Sequence, residues 1–489
     1  MPQGVPKGAI RTVVFARSDA TGLEKPPRRL TPQERRVRGK AARAEVPRES
    51  HATWSPWPDR PSPVDLLESQ EAARVPDLVP VRHGRMMESP FTYYRGAALP
   101  MASDLAHTPS TGLIVQACGD AHLSNFGLFG SAERKLVFDV NDFDETLPAP
   151  WEWDVKRLAA SLEVAARDNN FSDKDRKKIL LATAARYRMA IRQFAGLGTL
   201  DVWYTMVDVD ELTTQFGGLL RETQRKALDK GLAKARTRDS MQELRKLTRI
   251  ENGKPQIVPD PPVIVPLSDL LGDFKGDVEK ELRDLTAQYR RTLQADRRVL
   301  LEQFEFTDIA RKVVGVGSVG TRCWIVLMLG RDDTDPLFLQ VKEAENSALA
   351  AYAGASRYAN QGERVVNGQR LMQATSDIFL GWLQRAVGLD GQPHDYYFRQ
   401  LRDWKFSLDI GTMIPRGMRL YGEVCGYTLA RAHARSGDEI AIASYLGNSA
   451  AFDNAIAEFA AAYADQNERD YQTFTAAIAS GRIKAERGV

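Results

Sequence analysis

The stretch from Val115 to Ser161, VQACGDAHLSNFGLFGSAERKLVFDVNDFDETLPAPWEWDVKRLAAS, constrains this chain more than any other. An apolar run from Gly112 to Ala117 reads as a short buried strand that turns at Gly119 into Asp120, His122 and Asn125. A second apolar strand, Leu136 to Val140, delivers Asn141, Asp142, Phe143 and Asp144. Carboxylates and a carboxamide at the ends of two strands are hard oxygen donors on separate backbone segments, as a divalent cation and a reacting phosphate require. Taken singly, Asp120 and Asn125 also suit capping turns and Asp142 a strand-end turn. Their order together points to chemistry.

Before this stretch, residues 1–62 are rich in Pro and Arg and poor in apolar side chains, so they read as an arm draped over a core and not as a core of their own. From Pro63 a short helix, an extended piece and a second helical piece come next, carrying Arg82, Arg85 and Arg95. Each guanidinium is a planar fork suited to phosphate oxygens, although pairing with nearby carboxylates is the commoner use. After the stretch, apolar positions at Val155, Leu158, Ala159, Leu162 and Ala166 predict a helix from Trp151 with one buried face and Asp154 in its first turn.

Ser172 to Ile250 is helical in pattern, broken at Gly196/Gly198 and Gly217/Gly218. Its part Arg221–Arg249 carries ten Lys or Arg against four Asp or Glu, which is most simply a solvated basic face. GKPQIVPDPPVIVPLSD is a proline-rich extended connection suited to a boundary, and a helix spans Val278 to Phe304. At Thr307 the pattern changes to strand, Gly-rich turn, strand, turn, strand, the last ending at Lys342. Gly315, Gly317 and Gly320, with Ser318, permit a backbone to lie against phosphates where a side chain would collide. A G-x-G-x-x-G run also admits a dinucleotide-binding fold that would take NAD, but Thr321 to Leu329 is too short and too β-prone to supply the helix such a fold needs. Two further strands are expected in DIFLGWL and DYYFRQLRDWK. The C-terminal AFDNAIAEFAAAYADQNERDYQTFTAAIASG reads as a helix pair with Asp465, Arg469 and Asp470 unassigned.

These motifs resemble the catalytic half of the protein-kinase-like superfamily, above all aminoglycoside and choline phosphotransferases. CGDAHLSN matches their H-G-D-x-H-x-x-N loop with Cys118 in place of the leading His, and NDFDE matches the metal-binding Asp-Phe pair with Asp144 where protein kinases carry Gly. The whole sequence also resembles a bacterial family catalogued as a domain of unknown function, through RMMESPFTYYRG, GDAHLSNFG and NDFDETLPAPWEWDVKRLAAS. The resemblance implies an α+β, two-lobed kinase-like fold in circularly permuted order, since Gly315 to Lys342 come after Asp120 to Asp142. Its expected parts are the arm (1–62), a large helical catalytic lobe (63–300), a small antiparallel β-rich nucleotide-binding lobe (301–405) and C-terminal helices on the helical lobe (406–489), with a hinge near Arg402–Lys405.

By the same resemblance, Asp120 orients or deprotonates an acceptor hydroxyl, and Asn125 and Asp142 hold Mg²⁺ with Asp144 as a further ligand. Lys342 and the Gly315–Gly320 amides hold the phosphates of ATP, with Glu363, or else Glu345, as the acidic partner of Lys342. Asp154 steadies the catalytic loop, and His433 is packed. The expected activity is phosphoryl transfer to a hydroxyl-bearing acceptor, a small molecule by kinship with the substrates of those phosphotransferases. A non-catalytic nucleotide-binding regulator, AMP transfer and an NAD-dependent oxidoreductase are the alternatives.

Composition sets the remaining bounds. With 67 basic and 64 acidic residues, the balance argues for no generic nucleic-acid partner. Cys118, Cys323 and Cys425 are too few and too scattered for a disulfide framework or a zinc site, which suits a reducing cytosol. No apolar run reaches the roughly 20 residues that span a bilayer, so a cytoplasmic protein is expected.

Overall fold

A computed structural model describes residues 29–488 apart from 217–221, 223–225, 227–228, 234–239, 252, 272–277, 314, 389, 402–403 and 405–407. The first part of the arm, the Gly217/Gly218 break, part of the basic segment 221–249 and most of the expected hinge at 402–405 lie outside the described residues.

The architecture is α+β, and its main sheet has six strands in the order Gly381–Val387, Pro393–Gln400, Pro336–Glu343, Cys323–Leu329, Glu305–Lys312, Ile264–Pro266, each pair antiparallel. Strand Pro336–Glu343 is buried along its whole length because both faces are covered. Leu337, Leu339 and Val341 pack with Tyr289 and Leu293 from the helical region before the sheet, while Phe338 packs on the opposite side with Leu244 and Leu247. Period two therefore puts Gln340 and Lys342 on the Phe338 face. Helices Ser240–Leu247 and Val278–Arg291 thus bury their apolar sides on the sheet, and the packing runs across the division expected at residue 300.

Three expected elements differ. The proline-rich connection is not merely a linker, because Ile264–Pro266 pairs with Glu305–Lys312 as the outermost strand, a place where proline's missing N–H costs no ladder bond. The helix expected from Val278 to Phe304 is two, Val278–Arg291 and Ala295–Leu301. Conversely, the C-terminal pair is one helix, Ala451–Ala479. Beyond Gly320 the chain enters the strand Cys323–Leu329 directly, so it does not build the βαβ context of a dinucleotide fold there.

The larger core gathers around the helix Trp151–Asp168, buried through most of its length between Asp173–Phe194, Pro415–Ser436 and Ala451–Ala479. Beside it lie two hairpin-like pairs: Ile114–Ala117 with Leu147–Pro150, and Phe126–Gly130 with Leu136–Val140. The described part of the arm drapes over this core. Its helix Pro32–Glu45 lies on Glu439–Leu446, with Arg35 paired to Asp438 and Glu439 at 2.7 and 2.6 Å. No helix among the described residues is long and apolar enough to cross a membrane.

Candidate active site

The chain between Ala117 and Phe126 is pinned from below. Asp154, in the first turn of Trp151–Asp168, accepts the amides of Cys118 and Gly119 at 2.8 and 3.0 Å. His433 Nε2 lies 3.2 Å from Asp154 Oδ2, and its Nδ1 is 2.8 Å from the Tyr187 hydroxyl, so this fully buried histidine belongs to the support and not to the cleft. Gly119 has φ +81°, and a Cβ there would lie 2.3 Å from the Glu145 carbonyl, so only glycine fits this turn. Asn125 Nδ2 donates to the Asp120 carbonyl at 2.8 Å, and the Asn125 carbonyl accepts the Asn141 amide at 2.8 Å, which couples the two polar loops.

One cleft is lined by Asp120, Asn125, Asp142 and Asp144 from these loops and by Gly315, Gly317, Ser318 and Lys342 from the sheet side. Lys342 is 2 % exposed, and its Nζ lies 2.5 Å from Asp144 Oδ2 and 3.8 Å from Asp142 Oδ2. Tyr397 sits opposite Lys342 in the sheet and donates its hydroxyl to Asp144 Oδ1 at 2.6 Å, while Ser318 Oγ reaches Asp144 Oδ2 at 3.2 Å. Burial alone would lower the Lys342 pKa, but the charges of Asp142 and Asp144 outweigh it and raise the value. Burial alone would raise Asp144, and Lys342 instead holds it down to about 2. Asp142 moves up, through burial and the neighbouring Asp144 charge.

Several partners differ from expectation. Glu363 is not the partner of Lys342: it stands in the first turn of Gln361–Met372, half-buried, outside the cleft lining. The next residue, Arg364, reaches in instead, donating to the carbonyls of Asp144 and Glu345 at 2.8 Å each and of Thr146 at 2.7 Å. Glu345 does line the cleft, but its side chain faces the charges of Arg74 and Arg82. Gly320 also lies outside the lining. Its φ of +92° makes a turn whose carbonyl accepts the Val75 amide at 2.7 Å, and a Cβ would press on Arg74. Gly315 and Gly317 behave differently: neither needs a left-handed φ, and a Cβ would meet nothing within 4 Å at Gly315 and only the Arg95 carbonyl, at 3.5 Å, at Gly317.

Arg157, Tyr397 and Arg399 join the site without having stood out in the sequence. Arg157 is buried, and its Nη2 lies 2.7 Å from Asp120 Oδ1. It stands three residues after Asp154, so helical spacing sets both on the side facing the loop, a signal already present in the sequence. Arg399 bonds Gln340 Oε1 at 2.9 Å and the Asn141 carbonyl at 3.1 Å, tying sheet to loop. Asp465 and Asp470, by contrast, are structural: Asp465 pairs with Arg167 at 2.7 Å and Asp470 with Arg60 at 2.6 Å.

Among the described residues no three His, Cys, Asp or Glu side chains cluster as a ready-made metal cage. The donor set of two carboxylates with a nearby carboxamide instead suits a Mg²⁺ ion that completes its shell with phosphate and water oxygens. Comparisons with curated proteins and with solved structures found no match. The family model for an uncharacterized protein conserved in bacteria (DUF2252) matches residues 74–477, a span that holds every polar cleft residue named above, and the chain belongs to that family.

Proposed function

We propose that this protein is an ATP- and Mg²⁺-dependent phosphotransferase acting on a hydroxyl-bearing small molecule, with a kinase-like site built in permuted order. The observation that carries the reading is the approach of Lys342 to Asp142 and Asp144: two segments nearly 200 residues apart in sequence meet in one cleft, with a cation on one wall and oxygen donors on the other. The open space around Gly315 and Gly317 supports it, because neither backbone conformation nor protein packing demands glycine there, whereas close approach of a phosphate would.

In this reading Asn125, Asp142 and Asp144 hold Mg²⁺, which when bound neutralises charge on the transferring phosphoryl group. Lys342 and the amides of the Gly315–Ser318 turn bind phosphate oxygens. Asp120, its carboxylate fixed by Arg157, accepts the proton of the acceptor hydroxyl as that oxygen forms its bond to the γ-phosphorus. The bond from the γ-phosphorus to the β,γ-bridging oxygen breaks, and ADP leaves with that electron pair.

The test is transfer of labelled γ-phosphate into a metabolite extract, paired with melting in Mg·ATP. Asp120→Asn should keep the melting shift and lose about 10²–10⁴-fold in turnover. Lys342→Met should lose the shift itself. An α-phosphate label entering the acceptor, or full activity in Asp120→Asn, rejects the assignment.

A further inference from the structure

The cleft holds a cation that the phosphoryl-transfer reading leaves unused. Most charges lining it are already matched: Lys342 with Asp144, Asp120 with Arg157, Glu343 with Arg322 and His394, and Arg82 with Glu71. Arg74 and Arg399 have no ion pair among the described residues but donate to carbonyl or amide oxygens, and of the lining Arg and Lys side chains Arg95 alone has neither kind of partner there. It stands in the last turn of the helix Pro90–Gly96, and its guanidinium makes no hydrogen bond or ion pair among the described residues, with a buried and unpartnered Nε. Burial lowers its pKa, and the nearby Asp120 charge works against that.

The unmet bonds around it are not scattered. Of fifteen buried side-chain polar atoms without a partner among the described residues, five belong to cleft residues: the Nε atoms of Arg74, Arg82 and Arg95, Nδ1 of His122 and Oε1 of Glu345. Buried polar atoms are ordinarily satisfied, so this concentration shows where around the cleft the protein leaves its own polar groups unmatched. Four of the five are nitrogens, and three sit on guanidinium groups, whose planar donor forks match phosphate or carboxylate oxygens. Arg74 and Arg82 are 7 % and 1 % exposed and are held from behind by bonds to the Val319 and Gly96 carbonyls at 2.5 and 2.8 Å, so the wall is preformed.

We infer that the acceptor carries an anionic group, a phosphate or carboxylate, which Arg95 binds beside Asp120, with Arg74 and Arg82 setting the shape and charge of that end of the cleft. This rests on the reading of Asp120 as the residue that orients the acceptor hydroxyl. A cation within Coulombic reach of that carboxylate would hold the far end of a short hydroxy-phosphate or hydroxy-acid, and neutral sugars or alcohols would leave it unpaired and desolvated.

The experiment is melting of the full chain, with and without saturating Mg·ADP, against concentration series of inorganic phosphate, sn-glycerol 3-phosphate and glycerol. Both anions should raise the melting temperature above the Mg·ADP value while glycerol does not. Arg95→Gln should keep the Mg·ADP shift and need at least tenfold more anion for half the effect. Arg95→Lys, which keeps the charge but not the fork, should fall between. Equal responses to glycerol and its phosphate, no response to either anion, or unchanged anion response in Arg95→Gln overturns the inference. Loss of the Mg·ADP shift in Arg95→Gln also overturns it, because Arg95 would then serve the nucleotide. Absence of any Mg·ADP shift in the wild-type chain is a separate failure, that of the phosphotransferase reading, and the anion series without nucleotide then decides the Arg95 site alone.

Discussion

Lys342 Nζ and Asp144 Oδ2 stand 2.5 Å apart, joined across 198 residues of chain. The contact closes the sheet onto the loop Asn141–Glu145. A cation bound at Asp144 would have to compete with Lys342 for the same carboxylate.

That competition has a measurable form. Removing one member of a buried ion pair leaves the other charge desolvated, so Lys342→Met and Asp144→Asn should each lower unfolding free energy by about 3 kcal/mol. Lys342→Met/Asp144→Asn should cost clearly less than the sum. Urea denaturation of the four proteins checks this, and additive losses would show that the pair is not coupled.

Support beneath the loop can be separated from chemistry at Asp154. Asp154→Ala removes the acceptor for the Cys118 and Gly119 amides and costs about 1–3 kcal/mol for the unsatisfied donors. Native-state hydrogen exchange should show protection lost first at these two amides, while the sheet strands Cys323–Leu329 and Pro336–Glu343 keep theirs. Uniform loss across both regions would mean that the residue supports the global fold instead of this loop.

Arg60 yields a prediction about the arm. Its guanidinium bridges Asp104 at 2.7 Å and Asp470 at 2.6 Å, both carboxylates nearly inaccessible. Arg60→Ala strands two negative charges against each other and should destabilise by about 3–5 kcal/mol, whereas Arg60→Ala with Asp104→Asn and Asp470→Asn should recover part of the loss. Thermal melts at neutral pH distinguish these outcomes, and a single-variant loss below about 1 kcal/mol would show the clamp to be ornamental.

What could be read from sequence was what local periodicity determines. The strand Leu136–Val140 and the helix starting at Trp151 lie where the apolar spacing puts them, because each buries a regular face. The C-terminal stretch, expected as a helix pair, is the single helix Ala451–Ala479, in which Asn467 and Asp470 find their partners at the Pro90 carbonyl and at Arg60, far away in sequence. The same limit explains Glu363. A helix after a strand-end lysine makes a nearby glutamate the obvious partner, but the carboxylate that fills the role comes from a loop 198 residues earlier, and no spacing rule encodes that distance. Residue types and order picked out Asp120, Asn125, Asp142 and Lys342 together, and the structure brings all four to one cleft. Arg95 was among the three arginines suited to phosphate oxygens, but that its Nε is buried without a partner could be read only from the structure.

Glu145 offers a test by titration. It comes directly after Asp144 but moves the opposite way: burial pushes its pKa from 4.5 up to about 7, against the Ala348 amide that bonds it and the charge of Arg364, with the Asp120 and Asp144 charges adding to the rise. A carboxyl raised on folding binds more protons in the folded than in the unfolded chain between those two values, so its contribution is fully present below about pH 4.5 and is lost as pH climbs through about 7. Asp144, held down to about 2, acts in the reverse sense and loses its contribution only as pH falls below 3.8 toward 2, outside that window. Glu145→Gln keeps a carbonyl oxygen for the Ala348 amide and cannot ionise. The unfolding free energy of wild type relative to Glu145→Gln, measured by urea titration from pH 4 to pH 8, should therefore decline through that window and level off beyond it. A difference that stays flat across the range would mean that Glu145 ionises in the folded chain as readily as in water, and that the floor of the cleft is wetter than its burial implies.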